Sequence, residues 1–175
     1  MTFDVTIRPA GPQDAAALAL VGQATFLESY ADVLPAADIL DHCRGENGEA
    51  RYAGWLGTPG YAFWLAQCAQ GAPVGFAMLS PPDLPVPTDD GDVELKRLYL
   101  LHRFHGGGLG ARLMETAIAH GRAVGARRLL LGVFGLNTNA IAFYARQGFS
   151  QAGVRKFRVG ANEYDDLVLA RSLQA

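Results

Sequence analysis

The sequence has little cysteine, no long apolar run and no excess of positive charge. Its two cysteines, Cys43 and Cys68, are too few for a disulfide framework and lack the spacing of metal ligands. We therefore expect buried thiols and no metal site. No apolar stretch approaches the roughly 20 residues that a membrane-spanning helix needs, so we expect no membrane partner. A formal net charge of −2 argues against a nucleic-acid partner.

The ends and the length of the chain predict a simple organisation. Met1–Asp4 lacks the basic and apolar regions of a secretory signal, so we predict a cytoplasmic protein. The 175 residues are long enough to bury a substantial core, and we expect a single domain over residues 1–175.

The spacing of apolar residues changes from a helical to an alternating pattern near residue 60. Before that point, a short strand at Val5–Arg8 precedes three predicted helices, at Pro12–Glu28, Ala36–Cys43 and Glu49–Leu56. The predicted elements after it are strands at 61–68, 74–80 and 93–100, a helix from Leu109, a buried strand at 128–134, a helix at 137–149, and closing strands at 150–159 and 164–173. This order predicts a mixed α/β fold, with an antiparallel front half and a βαβ unit behind it.

A glycine-dense loop lies between the third strand of this second part and the helix at Leu109. Four of the five residues from Gly106 to Gly110 are glycine, the exception being Leu109. Glycine leaves backbone N–H groups unshielded, and the following helix adds the N–H groups and positive dipole of its N-terminus. We therefore predict a site for a large anion, such as a pyrophosphate.

Three kinds of anion site were weighed for this loop. A P-loop requires Gly-Lys-Ser/Thr, but Gly110 is followed by Ala111 and Arg112. A dinucleotide fold requires an acidic residue about 20 positions later, and residues 127–137 contain none. The third reading, a coenzyme A loop, is the one that the flanking residues favour.

The flanking residues resemble the central motif of the GCN5-related N-acetyltransferase (GNAT) family. The motif is Leu98-Tyr99-Leu100, then His105-Gly106-Gly107-Gly108-Leu109-Gly110, and then a helix from Ala111. The resemblance implies acetyl-CoA as co-substrate. It also implies that the backbone of Leu98, Tyr99 and Leu100 and the loop residues His105, Gly106, Gly107, Gly108, Leu109, Gly110 and Ala111 bind it. His105 stands where the family usually has glutamine or arginine, so a fixed positive charge is lost.

A second block, from Asn137 to Phe149, resembles the family independently of the first. Its residues are Asn137-x-x-Ala140-Ile141-Ala142-Phe143-Tyr144-x-x-x-Gly148-Phe149. By resemblance, Asn137 hydrogen-bonds the pantetheine arm, Asn139 belongs to the same cofactor site, and Tyr144 lies near the sulfur. A phenol there could give a proton to the departing thiolate. The family's fold is a mostly antiparallel sheet with a parallel, splayed central strand pair, and we expect it here.

Glu94, on the strand before the glycine loop, is the predicted general base. Strand alternation predicts Glu94, Lys96, Leu98 and Leu100 on one face of the sheet. An ion pair between Lys96 and Glu94 is the competing interpretation. Neither cysteine lies in either motif, which favours direct transfer from thioester to amine over a covalent enzyme intermediate.

Within the family, the chain resembles PaiA-type spermidine/spermine acetyltransferases most, through residues such as Thr25, Phe26, Tyr30, Arg97 and Asp166. This implies a small-molecule amine as substrate, with Phe26, Glu28 and Tyr30 as candidate binding residues. Counter-charges for a polyamine would come from Glu28, Asp32, Asp89, Asp90 and Asp92. A protein N-terminus or an amino-acid derivative is the alternative acceptor, an acyl-CoA-binding sensor without turnover is the alternative function, and a homodimer is left open.

Overall fold

The computed structural model describes residues 4–174, so the start of the segment judged for a signal sequence, residues 1–3, lies outside it. Seven strands form one sheet in the order β1-β2-β3-β4-β5-β7-β6. They are β1 Val5–Pro9, β2 Ala62–Cys68, β3 Pro73–Ser80, β4 Asp92–Leu100, β5 Arg128–Phe134, β6 Ser150–Val159 and β7 Asn162–Ser172. The helices are α1 Ala15–Tyr30, α2 Ala36–Arg44, α3 Glu49–Trp55, α4 Leu109–Ala123 and α5 Thr138–Arg146.

All neighbouring strands are antiparallel except β4 and β5. The helix α4 connects this parallel pair, as a crossover between parallel strands requires. The predicted mixed α/β fold with one parallel central pair is therefore confirmed. Within residues 4–174, no helix has the length and apolar character needed to cross a bilayer.

The two faces of the sheet pack against different helices. One face packs against α4 and α5 through a core that includes Leu95, Leu113, Met114, Leu131 and Leu169. The other face packs against α1 and α3 through residues such as Leu18, Tyr52 and Phe76. Apolar alternation along each strand supplies both cores, because successive side chains point to opposite faces.

Strand β4 contains a β-bulge at Lys96. Leu79 of β3 pairs with Leu95, and the adjacent Met78 pairs with Arg97, so Lys96 is an extra residue. The bulge reverses the side-chain alternation that follows it. Leu95, Leu98 and Leu100 therefore face α4, whereas Arg97 and Tyr99 face α1 and α3.

Candidate active site

The parallel strands β4 and β5 separate after a short paired segment. Asp92–Glu94 pairs with Arg128–Leu130, and residues 4–174 contain no further register pair between the two strands. The resulting wedge opens toward the carboxyl ends of both strands, which is where α/β sheets bind ligands. Leu101 donates its N–H to Val74 on β3, so by alternation the N–H groups of Leu98 and Leu100 point into the wedge.

The glycine loop lies at the mouth of this wedge and leads into α4. Gly106 and Gly108 have φ angles of 77° and 79°, a left-handed backbone that favours glycine. Gly108 is the N-cap of α4, and the first N–H groups of a helix have no partners within it. Such unpaired N–H groups at the positive end of the helix dipole suit a pyrophosphate, so the loop fits coenzyme A.

His105 turns back from the loop toward β4. Its Nε2 lies 2.8 Å from the carbonyl oxygen of Leu100, and its ring stands 5.0 Å from that of His102. This hydrogen bond leaves only Nδ1 for the phosphate contact that the sequence predicted. The Leu100 carbonyl, which faces the wedge, is also the group that a pantetheine N–H would need.

Asn137 begins α5 as its N-cap. Its Oδ1 accepts a hydrogen bond of 3.0 Å from the backbone N–H of Ala140. Capping uses only the side-chain oxygen, so the Nδ2 group can still donate to a ligand. Asn139, also predicted to contact the cofactor, is exposed on the first turn of α5.

Tyr144 projects from α5 into an aromatic cluster on the α4 side of the sheet. Its ring centroid lies 5.4 Å from that of Phe143 and 5.8 Å from that of Phe149. Burial, reinforced by the nearby phenol of Tyr99, raises the pKa of Tyr144 well above its usual range. The phenol is protonated at neutral pH, as an ordinary tyrosine also is, and its raised pKa makes it a weaker acid.

Glu94 lies at the closed end of the wedge, and its predicted face needs correction. The bulge at Lys96 places Glu94 on the opposite face from Leu98 and Leu100, because the extra residue reverses the alternation. Glu94 is 2% exposed, and its Oε2 accepts a hydrogen bond of 2.8 Å from the backbone N–H of Asp83. Its Oε1 is 4.0 Å from Nζ of Lys96, so the competing ion pair is present in a loose form.

The three predicted substrate residues of α1 have different surroundings. Phe26 is buried, with its ring 4.0 Å from the ring of His42. Glu28 accepts a hydrogen bond of 3.0 Å from the backbone N–H of His102, so it helps to hold the end of β4. Tyr30 is half-buried with its ring 6.0 Å from that of Phe134, and burial raises the pKa of its phenol.

The acids proposed as polyamine counter-charges do not converge. Asp89 and Asp92 bind Arg127 and Arg128, at 2.8 and 2.6 Å, beside the start of β4. Glu28 lies beyond the other end of that strand.

A cavity of about 460 Å³ adjoins the acidic segment Asp89–Asp92, where β4 and β5 are still paired, and it lies away from the wedge. A smaller cavity of about 240 Å³ separates α2 from the β6–β7 turn.

Two polar arrangements on the α1 face were missed from the sequence. Buried Arg97 donates to Tyr52 Oη at 2.6 Å, to Asn47 Oδ1 at 2.7 Å and to the Glu46 carbonyl at 3.0 Å. This network ties the α2–α3 connection to the bulged strand. Further along the sheet, Arg155 of β6 pairs with buried Asp166 of β7. Strand alternation could have placed Asp166 on this face, but its partner could not be read from sequence.

Comparison with protein families gives a match over most of the chain. The model of the "Acetyltransferase (GNAT) family" matches residues 27–149. An uncharacterized N-acetyltransferase of Mycobacterium tuberculosis is 38% identical over 160 residues, which are 91% of this chain and 98% of the relative. A spermine/spermidine N(1)-acetyltransferase of Bacillus subtilis is 33% identical over 90 residues, 50% of this chain and 59% of the relative.

Solved structures share the fold over nearly the whole chain. The PaiA N-acetyltransferase of Thermoplasma acidophilum, crystallised with coenzyme A, superposes with a TM-score of 0.76 at 20% identity. The match covers 97% of this chain and 99% of that protein. At this identity the likeness concerns the fold.

Proposed function

This chain belongs to the acetyltransferase (GNAT) family and is an acyltransferase, and on that premise we propose that it moves an acetyl group directly from acetyl-CoA to the amine of a small molecule. The observation that carries the proposal is the wedge between β4 and β5. The glycine loop and the start of α4 lie at its mouth, and Tyr144 packs against the same core as Leu98 and Leu100 of β4. The wedge therefore combines an anion site, free backbone donors and a protonated acid.

Binding of the co-substrate is assigned to backbone groups more than to charges. The N–H groups of Gly106–Ala111 would hold the pyrophosphate, and Asn137 Nδ2 and the edge of β4 would hold the pantetheine arm. His105 would have to release the Leu100 carbonyl for a pantetheine N–H to bond there. We infer that His105 contributes less to phosphate binding than the usual glutamine or arginine.

When bound, acetyl-CoA supplies a thioester whose carbonyl carbon accepts the amine. The N–H groups of Leu98 and Leu100 would stabilise the negative charge that develops on the acetyl oxygen. The C–N bond forms as the C–S bond breaks, and Tyr144 would give its proton to the departing sulfur.

Glu94 is the proposed base, acting through water. Its carboxylate lies on the α1 face, and because Lys96 is a bulge, Glu94 is three regular strand steps before Leu98, a span of roughly 10 Å. The Glu94 side chain would not reach an amine at Leu98 over that distance. The proton would therefore pass to Glu94 through a chain of ordered water.

The acceptor class that we favour is a small polyamine. Two things support it: half-buried aromatic rings at the wedge mouth, including Tyr30 and Phe134, and the partial likeness to the B. subtilis spermine/spermidine acetyltransferase. An amino-acid derivative or a protein N-terminus is the alternative acceptor.

Release of free thiol from acetyl-CoA, measured across a panel of amines, tests this function. We expect saturable release with at least one small amine and a stoichiometric acetylated product identified by mass spectrometry. Tight binding of coenzyme A without thiol release for any amine would contradict the enzymatic proposal and favour a sensor module. Modification of a peptide N-terminus, with no small amine active, would instead contradict the acceptor class.

A further inference from the structure

Asp166 has one carboxylate oxygen that is buried and without a hydrogen-bond donor. The residue is 3% exposed. Its Oδ2 accepts from both Nε and Nη2 of Arg155, at 3.2 and 3.1 Å. Its Oδ1 has no partner among residues 4–174. A buried carboxylate oxygen without a donor is costly, so such a group calls for a ligand or a functional reason.

Three half-exposed aromatic side chains flank this carboxylate. Phe134 of β5 is the direct cross-strand partner of Asp166, and Tyr164 is two residues away on the same face of β7. The Phe134 ring lies 5.5 Å from that of Tyr164 and 6.0 Å from that of Tyr30. The charge of Asp166 also helps to raise the pKa of Tyr30, which places the α1 phenol near the same carboxylate.

This cluster lies level with the open part of the wedge. Phe134 is four residues beyond Leu130, the last residue of β5 that pairs with β4. Leu98 is four residues beyond Glu94 on the other side of the gap, one of the four being the bulge. Because β7 is two strand positions from β4, Asp166 is at least about 10 Å across the sheet from the backbone of Leu98.

We propose that Asp166 Oδ1, with the rings of Tyr30, Phe134 and Tyr164, binds a second ammonium group of the acceptor while its first amine reacts at the wedge. This rests on the proposed N-acetyltransfer and names the acceptor class as a diamine or longer polyamine. Aromatic faces attract ammonium groups, and the carboxylate oxygen supplies the charged hydrogen-bond acceptor beneath them. Asp166 is thus a specificity residue.

The position of Arg155 agrees with this role. Its guanidinium lies over Gly132, where a Cβ atom would come within 2.5 Å of Cζ. Glycine at this position leaves room for the Arg155 guanidinium, which bonds only Oδ2 and leaves the buried Oδ1 without a donor. Burial raises the pKa of Asp166 above its ordinary value, and the charge and hydrogen bonds of Arg155 oppose that rise.

Steady-state kinetics with amines of matched chain length tests the inference. The pair is 1,4-diaminobutane and n-butylamine, and the measured quantity is the ratio of their kcat/KM values. Wild type should favour the diamine, and Asp166→Asn should lower the ratio by about tenfold to a hundredfold, the usual worth of a charged hydrogen bond. The lower kcat/KM of Asp166→Asn for the diamine should come mainly from a higher KM.

Asp165→Asn is the matched control, because it removes the same charge one residue away. Asp165 is 79% exposed and pairs with Lys156 on the surface. It should leave the ratio unchanged. An equal ratio in wild type and Asp166→Asn, or a wild type that does not favour the diamine, would overturn the inference without touching the acetyltransferase function.

Two further measurements keep the inference testable in other outcomes. If wild type acetylates no amine, the proposed function fails. Calorimetry of 1,4-diaminobutane with the CoA-saturated protein then tests the ammonium site alone. Diamine binding that Asp166→Asn does not weaken would overturn the inference. If Asp166→Asn does not fold, Asp166→Glu replaces it. Its longer side chain should shift the preferred diamine shorter by about one methylene, and an unchanged length preference overturns the inference.

Discussion

The phenol of Tyr144 is packed among aromatic rings, and this packing raises the pKa of a group that is already protonated at neutral pH. Burial disfavours the phenolate, so the folded protein holds the proton well above the ordinary titration range of tyrosine. The raised pKa also makes this phenol a weaker acid, so the proposed proton transfer to sulfur requires a phenol held in hydrogen-bond reach as the C–S bond breaks. The proposed role of Tyr144 therefore depends on its position.

Replacing Tyr144 with phenylalanine should lower kcat about a hundredfold, because one general acid is lost while the ring packing is kept. The dissociation constant of coenzyme A should stay nearly the same. Rapid-mixing or steady-state thiol release and calorimetry measure the two quantities. Tyr61→Phe, on a ring stacked against Trp55 in another part of the molecule, is the control. Unchanged kcat in Tyr144→Phe would remove Tyr144 as the acid.

The elements that border the wedge are positioned by polar caps and by close backbone contact. Asn137 caps α5 through its oxygen and has an amide N–H left for a ligand. Gly75 of β3 lies against the last residues of β4, where a Cβ atom would be 2.6 Å from the Tyr99 carbonyl oxygen and 3.2 Å from the Leu100 Cα. The Asn137 cap positions the start of α5, and the packing of Gly75 positions the end of β4.

Two substitutions separate capping from ligand binding at Asn137. Asn137→Asp keeps an oxygen for the Ala140 N–H, so stability should be retained, but it loses the amide donor and should bind coenzyme A more weakly. Asn137→Ala loses both, with a cost of about 1 kcal/mol in unfolding free energy. Urea unfolding and calorimetry measure these changes. If Asn137→Asp binds coenzyme A like wild type, the side-chain amide has no part in cofactor binding.

A methyl group at position 75 should push the carboxyl end of β4 out of place. We expect Gly75→Ala to cost about 1–3 kcal/mol of stability and to weaken coenzyme A binding, because the nearest contacted atom, the Tyr99 carbonyl oxygen, is backbone and cannot rotate away. Gly54→Ala in α3, where a Cβ would meet nothing within 4 Å, should instead stabilise by about 0.5–1 kcal/mol. Thermal unfolding with and without coenzyme A measures both. A harmless Gly75→Ala would contradict the close packing of β3 on β4.

Much of this arrangement could be predicted from local sequence signals. Alternation and turn residues predicted every strand, and the glycine loop and the Asn137 block are the segments to which the proposed cofactor site is assigned. The bulge at Lys96 was not predicted, although the adjacent polar residues Lys96 and Arg97 interrupt the alternation of the strand, because such a break does not say which residue is the extra one. The partners of Arg97 and Asp166 could not be predicted, since those contacts join segments that only the folded sheet brings together.

At the scale of the whole molecule, one half-buried histidine makes stability depend on acid pH. The His42 ring stacks on Phe26, and burial, followed by the charge of Arg97, lowers its pKa to about 4. A folded-state pKa below the ordinary value means that the neutral ring is favoured by folding. This contribution is complete above about pH 6.5 and is lost as the pH falls toward 4.

The unfolding free energy should therefore fall between pH 6.5 and 4, and His42→Phe should remove part of that fall while keeping a ring on Phe26. Urea unfolding at several pH values gives the slope, and NMR titration of the His42 ring gives its pKa. His102→Gln removes an imidazole elsewhere and serves as the control. Titration of His42 near pH 6.5 would contradict the prediction.

The brief pairing of β4 with β5 also has a consequence for the native-state dynamics. Strands β1–β4 come from residues 5–100 and β5–β7 from residues 128–172, so within the sheet itself three register pairs join two contiguous stretches of chain. Amides along the facing edges of β4 and β5 should exchange with deuterated water faster than those paired with β3 and β7. A pantetheine arm in the wedge would hydrogen-bond to the unpaired edges of β4 and β5. Coenzyme A should then slow amide exchange on both strands together. Protection of only one of the two strands would show that the ligand binds that strand and does not link β4 to β5.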